Sequence, residues 1–210
     1  GNGGTDNLTI KAGDVAGGNP TLTFSGTIGG SEPLDALSIN AGTSTMAFSL
    51  PQIGSGTAAG AGTASADVTI GNTASGDITF SRTTAAAVAA GDTGHLPYIF
   101  GGSVTFKSGG GTDAFQLGAG DTTIKNATSG ESITFHTGNF TLQNDADLSI
   151  ITTDGAITVQ NISGTDGDKT NDVIINAGSS TTSIGTIATD INDLTVSGTG
   201  IITLKGNVTT

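Results

Sequence analysis

The chain has 210 residues, with 35 Gly, no Cys, no Trp, one Tyr, and a formal net charge of −12 from 18 acidic residues against six Lys and Arg. This balance excludes a nucleic-acid partner, because no cationic surface is available to displace phosphate counterions. The absent cysteines exclude disulfides, thiolate metal sites and cysteine nucleophiles.

Glu occurs only as Glu32 and Glu131, and helix formers are scarce beside Thr, Ser, Asn, Asp and Gly. The composition therefore predicts an all-β protein of short strands and tight turns. With so few aromatics, small apolar residues are expected to fill the core. No apolar run approaches the ~20 residues that a membrane-spanning helix needs, so no membrane insertion is expected.

Short runs alternating apolar with Thr, Ser or Lys predict strands with one buried face. In chain order they are Leu8–Lys11, Leu22–Ser25, Leu37–Asn40, Asp67–Ile70, Asp77–Ser81, Ser103–Lys107, Asp113–Leu117 and Thr122–Lys125. The series continues with Ser132–His136, Phe140–Gln143, Leu148–Ile151, Ala156–Gln160, Asp172–Ile175, Asp193–Ser197 and Gly200–Lys205. Two stretches break the rhythm: the small-residue run Gly54–Ala66, and Thr83–Phe100, which opens on TTAAAVAA and holds the single Tyr. Both are predicted excursions from the scaffold, and they are the expected places for a partner contact.

The opening line GNGGTDNLTIKAGD returns at Ser108–Asp121 as SGGGTDAFQLGAGD, with Asp6 matched to Asp113 at an offset of 107 residues (113 − 6). Leu22-Thr23-Phe24 aligns with Ile133-Thr134-Phe135, and Leu37-Ser38-Ile39 with Leu148-Ser149-Ile150. Val104–Lys107 resembles Ile202–Lys205. These matches predict a duplicated unit, residues 1–107 and 108–210, or one continuous solenoid over 1–210. The chain opens without an initiator Met inside one copy, which predicts a piece of something longer.

Two architectures fit. High Gly, few aromatics and short gaps between strands point to a parallel β-helix or solenoid. The alternative is two tandem β-sandwich domains of immunoglobulin-like size.

The segments FSGTIGGSEPLDALSINAG (Phe24–Gly42) and DLTVSGTGIITLKGNVTT (Asp193–Thr210) resemble repeat lines of very large secreted bacterial proteins of the filamentous-haemagglutinin and autotransporter-passenger type. That resemblance implies a long β-helical stalk or adhesin at the extracellular face of a bacterial cell. It also implies a host, cell-surface or matrix ligand.

Six aspartates are candidate Ca²⁺ ligands. Gly1–Thr9 and Ser108–Gln116 resemble the calcium nonapeptide of repeats-in-toxin proteins, which implies Asp6 and Asp113 as ligands, with Asp121 following in the second copy. Asp166, Asp168 and Asp172 lie at alternate positions in TDGDKTND, as in a calcium loop. A tight turn with Asp capping backbone N–H groups makes the same pattern without metal. No other cofactor is expected.

Catalysis has thin support. His95 and His136 are the only histidines and Arg82 the only arginine. The pair Asp145/Asp147 could serve a glycosidase, but no aromatic accompanies it to stack a sugar. Thr21/Thr23 and Thr43/Thr45 would suit an ice-binding ladder, and a Thr-rich strand face gives the same letters. Five Asn-x-Ser/Thr triplets start at Asn7, Asn126, Asn139, Asn161 and Asn207, a number this composition reaches by chance. The expected function is therefore a non-enzymatic structural or adhesive segment, with a self-assembling surface-layer or filament subunit as the alternative.

Overall fold

The computed structural model describes residues 7–11, 21–24, 36–40, 45–48, 68–71, 78–81, 96–100, 103–107, 114–119, 122–136, 139–143, 146–165, 167 and 170–209. These residues form strands and no helix. The strands are β1 (Asn7–Lys11), β2 (Thr21–Phe24), β3 (Ala36–Asn40), β4 (Thr45–Phe48), β5 (Val68–Gly71), β6 (Ile78–Ser81), β7 (Leu96–Phe100), β8 (Val104–Lys107), β9 (Ala114–Ala119) and β10 (Thr122–Ser129). They continue as β11 (Ile133–His136), β12 (Asn139–Leu142), β13 (Leu148–Thr153), β14 (Ile157–Val159), β15 (Ile162–Gly164), β16 (Asn171–Asn176), β17 (Thr182–Ile184), β18 (Ile191–Ser197) and β19 (Ile202–Leu204).

Among the described residues these strands make three sheets. The eight-stranded sheet runs β1-β3-β5-β8-β11-β14-β17-β19, the six-stranded sheet β15-β12-β9-β6-β4-β2, and the five-stranded sheet β18-β16-β13-β10-β7. Every pairing is parallel. Tandem sandwiches would need antiparallel pairs, and none occurs among the described strands.

From β8 onward the chain visits the eight-, six- and five-stranded sheets in turn and then repeats the cycle: β8, β9, β10; β11, β12, β13; β14, β15, β16. The next pass is β17, a single parallel bridge through Ile187, and β18; the last is β19 and a bridge through Val208. Side-chain bonds between successive passes join residues 20 to 29 positions apart.

The apolar half of the period-two pattern points into the space the sheets enclose. Alternation is clean in Val104–Lys107, Ile133–His136 and Asn139–Leu142. Phe106, Phe115, Phe135, Leu117, Ile133, Leu142, Ile150, Ile162 and Ile175 are fully buried there. Burying such side chains contributes on the order of 1.5–3 kcal/mol each.

Aromatics nevertheless organise the middle of this core, contrary to the composition-based expectation. Phe106 and Phe135 stack at 4.8 Å, and Phe115 and Phe140 meet Phe135 edge-on at 5.1 and 4.6 Å. Parallel in-register pairing sets like side chains over one another, and among the described residues Phe100, Phe106, Phe115, Phe135 and Phe140 make one contiguous group.

All fifteen expected strand windows overlap strands of the structure. Leu96–Phe100 differs from expectation: it belongs to the predicted excursion but forms β7, at the edge of the five-stranded sheet. The edge explains why Pro97 is tolerated there, since an edge strand needs no N–H on its free side. Gly54–Ala66 and Thr83–His95 lie outside the described residues.

The aligned segments occupy different sheets. Leu22–Phe24 is in the six-stranded sheet and Ile133–Phe135 in the eight-stranded one; Leu37–Ile39 is in the eight-stranded sheet and Leu148–Ile150 in the five-stranded one. The strands after the two Gly-Thr-Asp lines, β1 and β9, are likewise in different sheets. Only Val104–Lys107 and Ile202–Lys205 share a sheet. Period-two strands resemble one another in letters whichever sheet they join.

Candidate functional surface

The most continuous surface feature is a column of hydroxyls along the eight-stranded sheet. Register places Thr9, Ser38, Thr69, Thr105, Thr134, Thr158, Ser183 and Thr203 in one file, one per strand. Thr9, Thr105, Thr134, Thr158 and Thr203 each lie between two positions of the apolar face, so period two turns them away from it. Thr9 and Thr203 are exposed, and Thr105, Thr134, Thr158 and Ser183 half-buried. Such a file repeats one hydroxyl every ~4.8 Å. Its exposed members can hydrogen-bond to a partner, whereas the Ser183 Oγ is shut off from solvent and has no hydrogen-bond partner.

Thr21 stands opposite Thr45 in the six-stranded sheet, whereas Thr23 stands opposite Ala47. The Thr-x-Thr pairs seen in the sequence therefore do not build a two-file Thr ladder. Thr43 lies outside the described residues.

The corners carry polar links between successive passes. The Asp172 backbone N–H donates to Asp147 Oδ1 at 2.8 Å, and the Asp193 N–H to Asp172 Oδ1 at 3.2 Å. Asn192 Nδ2 donates to the same Asp172 oxygen at 2.9 Å. Three aspartates thus stand in file before or within β13, β16 and β18. Like charges in register oppose pairing, and the hydrogen bonds from backbone N–H to carboxylate oxygen offset this.

The same device recurs at other corners. Thr186 N–H donates to Asn161 Oδ1 at 2.7 Å, and Ser179 N–H to Asp154 Oδ1 at 2.8 Å. Ser103 Oγ donates to Glu131 Oε2 at 2.6 Å and accepts the Ser132 N–H at 3.0 Å. Inside, Asn171 is fully buried and its Nδ2 donates to the Ala146 carbonyl at 3.0 Å.

Of the sequence-predicted calcium ligands, Asp6, Asp113, Asp121, Asp166 and Asp168 lie outside the described residues. Asp172 is the middle member of the polar file just described, giving its N–H to Asp147 and capping the N–H of Asp193. Among the described residues no three His, Asp or Glu come together in a group that could hold a metal ion. Asp147 works as an acceptor between passes, and Asp145 lies outside the described residues. His136 ends β11 on the exposed side, in register with Lys107. Asn126, first residue of one Asn-x-Ser/Thr triplet, is fully buried with its Oδ1 accepting the Thr128 N–H. In the folded chain it is closed to a glycan.

Sequence reading missed these polar files, although Asp, Asn or Ser at the strand entries was a readable signal for capping.

Asp154 gives this surface a pH dependence. The Ser179 backbone N–H, helped by the Ser179 and Ser129 side chains, holds its carboxyl below the ordinary value of 3.8. A depressed folded pKa contributes stability above the unfolded value, and this is lost as pH falls through the folded one. Asp154→Asn keeps an acceptor and tolerates the positive φ of 60°. The variant is therefore expected to show a flatter loss of stability below pH 3.8 in acid titrations followed by circular dichroism, with little change near neutrality.

No described helix is long and apolar enough to cross a membrane. Comparison of the chain with protein-family models, with curated proteins and with solved structures returns no match.

Proposed function

We propose that this chain is a parallel β-helix serving as a non-catalytic structural and adhesive segment of an exported bacterial cell-surface protein. The observation that carries the reading is the cyclic order of the three parallel sheets, pass upon pass, from β8 to Val208. Coils stacked in this way satisfy one another's backbone hydrogen bonds, and each contacts only its neighbours. The fold then supplies length and stiffness, and its outer files of hydroxyl and amide groups supply repeated contact points. The strand-rich, acidic, cysteine-free composition agrees with that role.

Two experiments test the two halves of the proposal. The chain has no cysteine, so Thr134→Cys with Thr158→Cys places unique thiols on register partners of adjacent coils. A short bismaleimide should bridge them in the native chain and fail after unfolding; failure in the native chain overturns the stacked-coil reading. Antibodies raised against the chain should decorate intact source cells. Labelling only after lysis overturns the surface role.

A further inference from the structure

Four strands of the eight-stranded sheet carry one tetrapeptide pattern, apolar-Thr-apolar followed by Lys or His: Leu8–Lys11, Val104–Lys107, Ile133–His136 and Ile202–Lys205. Register brings the last residues of these tetrapeptides into one file. Lys11 pairs with Asn40, the Ile39–Ile70 pair carries the file on to Gly71, and Gly71 pairs with Lys107 and Lys107 with His136. Lys205 directly follows Leu204, the partner of Ile184, and its N–H donates to the Ile184 carbonyl at 2.8 Å. Three of the six Lys and Arg of the chain thus stand in one file, with one of the two His. Lys107 is half-buried and His136 exposed, both well inside the stack.

None of the eight strands of this sheet contains Asp or Glu. Among the described residues the acids gather elsewhere: Asp147, Asp154, Asp172, Asp190 and Asp193 lie in or directly beside strands of the five-stranded sheet, and Glu131 accepts a hydrogen bond from Ser103 Oγ. The hydroxyl file runs two residues back along each strand, so Thr105 shares the outer side with Lys107, and Thr134 with His136. The cations are spaced rather than packed. Three strand steps separate Lys11 from Lys107, and three separate His136 from Lys205, ~14 Å each at ~4.8 Å per strand. Duplex nucleic acid presents a charge every ~1.7 Å, far more densely than this file. A polymer with isolated acidic groups and many hydroxyls between them matches both files at once.

We propose that the outer face of the eight-stranded sheet binds an extended acidic polysaccharide, laid along the stack with its carboxylate or sulfate groups at the Lys file and its hydroxyls at the Thr file. The proposal rests on the stacked-coil, adhesive reading above and names the ligand class of that role. Each Lys donates charge-assisted hydrogen bonds to an acid group, stronger than the neutral ones from Thr. A single exposed contact contributes little, and its repetition along one polymer raises the avidity. The formal charge of −12 opposes the approach of a polyanion at long range. At physiological ionic strength that repulsion is screened beyond ~8 Å, whereas direct contacts at the file persist.

Biolayer interferometry at physiological ionic strength tests it. Immobilised hyaluronate, with one carboxylate per disaccharide, and chondroitin sulfate, which adds a sulfate, are the acidic probes; dextran and single-stranded DNA are the controls. The wild type should bind one acidic polysaccharide or both, which names the acid group, and neither control. Lys107→Gln combined with Lys205→Gln should weaken binding by roughly tenfold or more, whereas Lys125→Gln, in the five-stranded sheet, should leave it within about twofold. Each single variant repeats the test if the pair fails to fold by circular dichroism. Absence of binding to both acidic polysaccharides overturns the proposal. Binding to dextran or DNA as tight as to the acidic probes does so too, as does an equal loss in Lys125→Gln, which marks an effect of net charge. If binding is absent, Thr134/Thr158 bridging in the same protein separates the two failures: bridging intact means that the ligand assignment alone has failed, and bridging lost means that the stacked coil has failed with it.

Discussion

Phe135→Ala should lower the free energy of unfolding by about 3–5 kcal/mol, the usual range for deleting a fully buried aromatic side chain. Phe135 has no solvent exposure. It stacks on Phe106 with an interplanar angle of 4°, and its edges meet Phe115 and Phe140. Truncation removes the transfer free energy of the ring and leaves a cavity lined by three aromatics. Backbone pairing of β11 with β8 and β14 limits how far the site can collapse. Under the stacked-coil reading proposed above each pass contacts only its neighbours, so the damage should be local. Guanidinium unfolding followed by circular dichroism gives the magnitude. Hydrogen exchange should show the loss concentrated in β8, β9, β11 and β12; a uniform loss across all strands would contradict nearest-neighbour stacking.

The second large effect concerns the corner after the five-stranded sheet. At or just beyond the ends of β10, β13, β16 and β18 stands one residue with positive φ: Gly130 at 85°, Asp154 at 60°, Gly178 at 59° and Gly198 at 129°. A residue with positive φ thus recurs at this corner from pass to pass. Gly155 follows one of these residues, and a Cβ on it would collide with the backbone carbonyl of Glu131 in the coil before. A carbonyl fixed in the stack cannot yield as a flexible side chain does. Gly155→Ala is expected to cost about 1–3 kcal/mol or more through forced displacement of the two coils.

Gly130 provides the contrast, since its Cβ would meet nothing within 4 Å. Gly130→Asn should cost clearly less than Gly155→Ala, only the strain of a side chain at φ 85°, because Asn tolerates left-handed backbone better than most residues and Asp154 already occupies the equivalent corner. Thermal melts of the two variants side by side check the difference. Equal losses would mean that φ, and not the close approach of coils, limits the corner.

Strand positions were legible because burial on one face forces alternation, as in Val104–Lys107 and Ile133–His136. Four strands escaped. β15 and β17 carry one large apolar residue each, Ile162 and Ile184, too few to show a period; β4 carries Ala47 between Met46 and Phe48, which blurs the alternation; and Pro97 reads as a breaker in β7. The order of sheets was not legible. A strand facing the shared core looks the same from any of the three sheets, which is why Leu37–Ile39 and Leu148–Ile150 match in letters and part in space. The step between coils also varies, from 20 to 29 residues across the polar links, so no fixed period marks it. The hydroxyl file was hidden for the same reason: Thr105, Thr134 and Thr158 become neighbours only once register is known.

The polar links at the corners bear on how this chain meets its redox surroundings. Small exported domains commonly tie distant segments together with disulfides. Here the ties between residues some 25 positions apart are hydrogen bonds from a backbone N–H to the side chain of Asp147, Asp154 or Asn161. With no cysteine in the chain, a thiol reductant has no bond to cut, and folding needs no oxidant. The same stack can therefore form on either side of a membrane that separates reducing from oxidising compartments.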